Sequence, residues 1–210
     1  MSTIYFFFGL AQAITGYIAS VSARQEAFTV NRADYPHIGE HPERLVVFFS
    51  RMGYVRKQAY EEAERTGAAV YEIKATERTE GTAGFWWRGR FGMHRWGMPI
   101  EPISVDLTAY RHVTILSPIW VFSLSAPVRS FCREAAGKIR EADYLLPHPT
   151  NGRYENGGRG MDAPLGITHT RVRTQRCRAG IRPENPPKET APPRARGGPA
   201  NDNATLDKGN

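Results

Sequence analysis

Two cysteines, Cys132 and Cys177, are all that 210 residues contain, and they form no CxxC pair and no metal-type spacing. That excludes a disulfide framework and any recognisable zinc site. Cys132 falls in a helical pattern, where a buried thiol acts as a small hydrophobe. The six histidines make no HxxH or HExxH pattern, so no metal site is legible. Internal repeats are missing too. The balance of charge shifts near the C-terminus. Residues 1–167 hold 19 Lys+Arg against 17 Asp+Glu, whereas residues 168–210 hold 9 against 4. The net charge of +7 is therefore mostly a property of the last stretch, and a solvated tail explains it more simply than a phosphate-binding surface. A nucleic-acid partner is not expected.

Charge is also missing from the start, with no charged side chain before Arg24. Ile4 to Ala23 reads IYFFFGLAQAITGYIASVSA, about the 20 apolar residues that a helix needs to cross a bilayer core. Gly9, Ala13, Gly16 and Ser20 would line one face, as small residues do where membrane helices pack closely. Gln12, Thr15, Ser20 and Ser22 weaken the span. Three readings are open for residues 1–24: a membrane anchor, an apolar helix packed on the domain, or a cleaved signal peptide. Val21 and Ala23 suit a cleavage site, but the basic n-region is missing. For an anchor, Arg24 and Arg32 favour a cytoplasmic domain; the alternative is a soluble cytoplasmic protein. Residues 25–43, with two prolines, two histidines and mixed charge, read as a linker.

From Arg44 the pattern becomes regular. Arg44 to Phe49 (RLVVFF) is an apolar run of strand length, as expected of a strand covered on both faces. Ser50 to Val55 is a turn, and Lys57 to Thr66 has helix-forming composition ending at Gly67. Ala69 to Ile73 and His112 to Leu116 are the second and third strands. Ser117 to Ser125 is a loop, and Pro127 opens a helix that carries Val128, Phe131, Cys132 and Ala135 and closes at Gly137. Ala142 to Leu146 and His169 to Gln175 are the fourth and fifth strands. Such alternation argues for a parallel sheet with helices on both faces, where ligands bind beyond the carboxyl ends of the strands at the point of order reversal.

Two segments resemble the flavodoxin family. VVFFSRMGYVRKQAYEEAERTGAAVYEI is similar to its first strand, phosphate loop, first helix and second strand. DLTAYRHVTILSPIWVFSLSAPVRSFCREAAGK is similar to its third strand, flavin loop and following helix. FMN at the switch point of flavodoxin is itself a standard illustration of the binding rule just used, so the rule and the resemblance point to the same place for the same reason. The resemblance implies an α/β, flavodoxin-like, doubly wound sheet of five parallel strands in order 2-1-3-4-5, over residues 44–180, with FMN as cofactor. It implies a phosphate loop at Ser50, Arg51, Met52, Gly53, Tyr54, Val55 and Arg56. Only Ser50 and Gly53 match the family pattern; Met52, Tyr54 and Val55 stand where further hydroxyls and a small polar residue are usual. Arg51 and Arg56 could supply charge instead. It further implies a flavin loop at Ser117, Pro118, Ile119, Trp120, Val121 and Phe122, with Trp120 as the chief stacking surface. After the fourth strand, Asn151, Gly152 and Tyr154 form a third candidate loop, with Tyr154 as a second stacking face.

Departures from the family pattern are equally specific. Gly157 to Gly166 carries four glycines and Pro164, so a stable helix there is doubtful. Where the family places a last helix over the sheet, residues 181–210 are rich in Pro, Gly, Asn and Arg and read as a disordered basic tail. The insert Gly84 to Met98 (GFWWRGRFGMHRWGM) mixes aromatics with cations and suits a membrane interface, a pocket wall, or packing on the domain. No residue stands out as a general acid or base. The expected function is FMN-dependent electron transfer with a redox partner protein or quinone. Its rivals are an FMN-dependent NAD(P)H:quinone oxidoreductase and a scaffold that has lost its cofactor.

Overall fold

A computed structural model describes residues 2–23, 29–77, 79, 81–150, 152, 154, 156–178, 182–183 and 187–190. In chain order, helix α1 spans Ser2–Ala23 and strand β1 spans His41–Phe48. Helix α2 (Tyr54–Thr66), β2 (Ala68–Glu72) and helix α3 (Gly81–Met93) follow. Next come β3 (His112–Leu116), the short strands β4 (Ile119–Trp120) and β5 (Ser123–Leu124), and helix α4 (Ala126–Glu134). The chain continues through β6 (Glu141–His148), helix α5 (Gly157–Leu165), β7 (Arg171–Arg178), β8 (Arg182–Pro183) and β9 (Lys188–Thr190).

The principal sheet runs β2-β1-β3-β6-β7, all parallel, which is the expected order of five. The apolar run of β1 is explained by its central place. Val46 and Phe48 share a core with Val55, Ala59 and Ala63 of α2, while Leu45 and Val47 share another with Val128 and Phe131 of α4. Burying such side chains is worth about 1.5–3 kcal/mol each, so two-sided cover outweighs any local preference. Helix α2 stops at Gly67, which takes the left-handed conformation at φ 66° and donates its N–H to Ala63.

Several expectations are corrected at the edges. The linker is shorter than 25–43, because β1 begins at His41 and Arg32–Asp34 form a 3-10 turn capped by Asn31. The sheet is wider than five strands. β8 and β9 both add antiparallel to the outer edge of β7, so residues 182–183 and 188–190 belong to the fold and not to a disordered tail. Backbone pairing explains this: β7 would otherwise expose an unpaired edge. The insert at 84–98 is mostly the helix α3, not a loop.

Gly157 to Gly166 is also helical, against expectation. Close approach accounts for two of its glycines. A Cβ at Gly158 would lie 2.6 Å from Val172 Cγ2, and one at Gly157 would lie 2.7 Å from Leu146 Cδ1. The propensity cost is offset by packing and by a buried polar anchor. Tyr144 Oη donates to Asp162 Oδ1 at 2.8 Å, and the His169 backbone N–H donates to the same oxygen at 3.0 Å. The His169 ring Nδ1 lies 2.7 Å from Asp162 Oδ2. Gly158→Ala, which would raise helix propensity in isolation, is expected to destabilise the domain by about 1–3 kcal/mol through overpacking. A denaturant titration checks the sign.

Among the described residues no helix follows β7, and polar side chains of α2 and β7 meet on the sheet. Glu62 accepts from both Arg173 and Arg65, and Gln58 Nε2 donates to Gln175 Oε1 at 3.1 Å.

Among the described residues no helix is long and apolar enough to cross a membrane, which corrects the transmembrane reading of residues 1–24. The second half of α1 instead packs: Ile18 is buried, and Trp86 Nε1 of α3 donates to Thr15 Oγ1 at 3.2 Å.

Candidate functional site

Strand order reverses between β1 and β3, whose partners lie on opposite sides, so the loops after their carboxyl ends flank one crevice. Residues 50–53 form the first loop and residues 117–125 the second.

In the first loop Ser50 is 7 % exposed and its Oγ has no hydrogen-bond partner among the described residues. A buried hydroxyl left unpaired is costly, about 1–3 kcal/mol in proteins, and points to a ligand atom or water as its mate. Gly53 follows at φ 84°, a conformation that favours glycine, and begins α2 without any side-chain cap. The first N–H groups of α2, at Tyr54 and Val55, therefore face the loop without a side-chain acceptor, the arrangement that suits an anion. Burial pushes the Tyr54 phenol up, so it stays a neutral hydroxyl at physiological pH.

The other candidates of this loop do different work. Met52 and Val55 are buried, Val55 in the core under α2, so apolar residues stand there to fill space. Arg56 pairs its guanidinium with Glu72 at 2.7 and 3.2 Å, so its charge is shared with a carboxylate. Arg51 turns back to the Thr79 carbonyl, at 3.3 Å, and to the Met52 sulfur.

The second loop is not irregular. β4 and β5 pair as a two-residue antiparallel hairpin, with Val121 and Phe122 at its tip. Both tip residues have positive φ, 47° and 60°. The left-handed region is rare for bulky side chains and exceptional for a β-branched one, costing of order 1–3 kcal/mol each. Ser117 anchors the base: its Oγ accepts from the Ser125 N–H at 3.2 Å and lies 3.2 Å from both the Pro118 carbonyl and Ser125 Oγ. Trp120 packs edge-on against Phe49 at 5.5 Å, which fixes its ring plane, and Phe122 is 76 % exposed. Ile119 is half-buried against the core and Pro118 is buried.

Replacing Val121-Phe122 by Asn-Gly, the pair preferred by such turns, should raise stability by about 1–2 kcal/mol if the strain is confined to the turn. A midpoint shift in urea measures it.

The third loop is partly corrected. Asn151 lies outside the described residues. Gly152 approaches Tyr154 so closely that a Cβ would meet its ring at 2.7 Å. Tyr154 is buried in the core, hydroxyl bonded to Thr150 Oγ1 and ring 4.7 Å from His148, so it offers no open stacking face.

Arg129 was not singled out by sequence. It donates to the Trp96 carbonyl at 3.0 Å, to the Phe91 carbonyl at 3.3 Å, and to Ser123 Oγ, tying α3 to the hairpin. Burial, helped by Arg95 and Arg133, lowers its guanidinium to about 10, so it stays charged at neutral pH. Its signal was the Arg129/Arg133 pair on α4, which reads as an ordinary solvated helix face.

No protein-family model and no curated protein matches the chain. Solved structures do. A candidate flavoprotein from Bacteroides uniformis ATCC 8492 aligns with a TM-score of 0.56 at 19% identity, over 65% of this chain and 91% of that one. One from Bacteroides eggerthii DSM 20697 aligns at 0.54 and 18%, with the same coverage. A flavoprotein from Lactobacillus acidophilus NCFM, solved in complex with FMN, aligns at 0.53 and 16%, over 63% and 92%. The fold is flavodoxin-like. The crevice described above lies at the switch point of the flavodoxin-like sheet.

Proposed function

We propose that this protein binds FMN at the carboxyl ends of β1 and β3 and works as an electron-transfer flavoprotein. The observation that carries the reading is the buried, unpartnered Ser50 hydroxyl beside the uncapped N-terminus of α2. The residues present fit an FMN phosphate there: a hydroxyl donor, N–H groups at a helix start, and Gly53 allowing close approach. The Trp120-Val121-Phe122 hairpin tip would flank the ring, with exposed apolar surface from Phe122. The bound flavin would supply the redox chemistry; the chain supplies binding, orientation and electrostatics. Ser50 would donate a hydrogen bond to the phosphate, and Arg129 holds the hairpin against α3.

The likeness to a flavoprotein solved with FMN supports the same reading. The apolar character of Met52 and Val55 supports a weaker phosphate grip than the family's usual one, and at the extreme a scaffold without cofactor. A visible absorption spectrum of the purified chain, with and without added FMN, separates the two. Flavin bands that remain after gel filtration are expected; their absence even after reconstitution would favour the scaffold. Consumption of NADPH with a quinone would point further, to an FMN-dependent oxidoreductase.

A further inference from the structure

We propose that α1 and α3 together form an interfacial docking element that seats the protein on an anionic phospholipid bilayer, embedded at the headgroup boundary without crossing it. This inference stands apart from flavin binding and is tested apart from it.

Exposure is the first observation. Ile4, Tyr5, Phe6, Phe7 and Phe8 are consecutive, and each is 62–74 % exposed. Successive residues turn about 100° around a helix, so these five side chains encircle α1. A protein partner covers one face of a helix; lipid can solvate every side. A helical segment that is apolar all round belongs in a core or a membrane, and residues 4–8 of α1 are in no core. Beside it, Trp86, Trp87 and Met93 of α3 and the following Trp96 are also exposed. Exposed apolar side chains gathered on two helices that touch mark an interaction site.

Charge is the second observation, and it selects the lipid. No Asp or Glu occurs in residues 1–25 or 81–100, whereas the second stretch contains Arg88, Arg90 and Arg95 with His94. The Arg90 guanidinium lies 4.4 Å from the Trp87 ring centre and 5.0 Å from that of Phe91. His94 stacks on Trp96 at 4.4 Å with 18° between the rings. Aromatic rings interleaved with cations suit the zone between acyl chains and headgroups, and a stretch whose charged residues are all basic suits anionic lipid. The same helix α3 reaches the hairpin at Gly92, where a Cβ would sit 3.2 Å from Val121. Docking would therefore bring the exposed hairpin tip towards the bilayer.

Co-sedimentation of the full chain with vesicles tests the proposal. With phosphatidylcholine–phosphatidylglycerol vesicles most of the protein should pellet; with phosphatidylcholine alone much less should. Tryptophan emission should shift blue, and lipids brominated near the headgroup should quench it more than lipids brominated at the chain end. Phe6→Ser/Phe7→Ser/Phe8→Ser and, separately, Trp87→Ser/Trp96→Ser should each weaken binding at least about tenfold while leaving the thermal midpoint in place. The second variant leaves α1 intact, so it keeps the test valid should the first misfold. Arg90→Glu/Arg95→Glu should remove the preference for anionic lipid. Wild-type protein that stays in the supernatant with both vesicles overturns the proposal. Binding that no variant weakens overturns it, as does strongest quenching from the chain end. A defined dimer in light scattering with no vesicle binding would assign the surface to a second copy of the chain.

Discussion

Glu62→Ala is expected to lower the stability of the domain by about 3–5 kcal/mol, among the largest effects of any single substitution in this chain. Glu62 sits buried between Arg65 and Arg173, with Arg173 Nη1 at 3.1 Å and Arg65 Nη2 at 2.7 Å from its carboxylate oxygens. Removing the carboxylate leaves the Arg173 guanidinium buried without its counter-charge, which is what makes the loss large. The comparison that separates this cause from lost packing is Glu62→Leu with Arg173→Met. Replacing both charges by apolar groups of similar size should recover most of the loss.

The same site sets a pH dependence. Burial alone would raise the Glu62 carboxyl, but hydrogen bonds from Arg173 and Arg65 outweigh it and hold the group below its ordinary value. Asp143 is balanced the same way: burial raises it, and His112 and Arg171 lower it further. A carboxyl whose folded pKa is depressed adds stability above its unfolded value, about 4.3 for Glu and 3.9 for Asp. That stability is lost as pH falls through the folded value. Wild-type unfolding should therefore steepen below about pH 4, and Glu62→Gln should flatten that slope. An unchanged slope in Glu62→Gln would mean that Glu62 is not held in its charged form by the two arginines.

Ser50→Ala should separate stability from binding. Among the described residues the Ser50 hydroxyl has no hydrogen-bond partner, so its removal should leave the folding midpoint unchanged or raise it slightly. If that hydroxyl serves an FMN phosphate, its loss costs about 1.5–3 kcal/mol of affinity, the range for hydrogen bonds to charged groups. That is a weakening of about 10- to 100-fold. Riboflavin, which has no phosphate, should bind the variant as it binds the wild type. A fall in stability with no change in FMN affinity would show that the hydroxyl is structural.

How much of this could be read beforehand depends on the physical source of each signal. The five parallel strands were legible because two-sided burial leaves long apolar runs such as Leu45–Phe49, and because Gly53, Gly67 and Pro127 punctuate the helices between them. Helix α5 was not, since its glycines lower propensity and answer to tertiary approach, with Gly158 against Val172 and Asp162 fixed by Tyr144 and His169. No local pattern encodes a neighbour's side chain. β8 and β9 were missed for a similar reason: Arg182–Pro183 and Lys188–Thr190 have loop composition, and only the open edge of β7 makes strands of them.

At the site, residue type located both loops but not the direction of each side chain. Ser50 stands in the loop after β1 with its side chain buried, whereas Arg56 pairs with Glu72 and Tyr154 is buried against His148. The hairpin tip was hidden because Val121 and Phe122 are the reverse of a turn signature. A strained turn without Gly or Asn is a feature that statistics cannot anticipate and that a binding role would explain.

The most direct test of the flavin reading is a titration of the full chain with FMN and with riboflavin, followed by quenching of flavin fluorescence. FMN should bind measurably and more tightly than riboflavin, and Trp120→Ala should weaken both ligands by the same factor. If FMN leaves the fluorescence unchanged up to high micromolar protein, or binds no better than riboflavin, the loop after β1 is not a phosphate site and the account of this chain as an FMN protein is wrong.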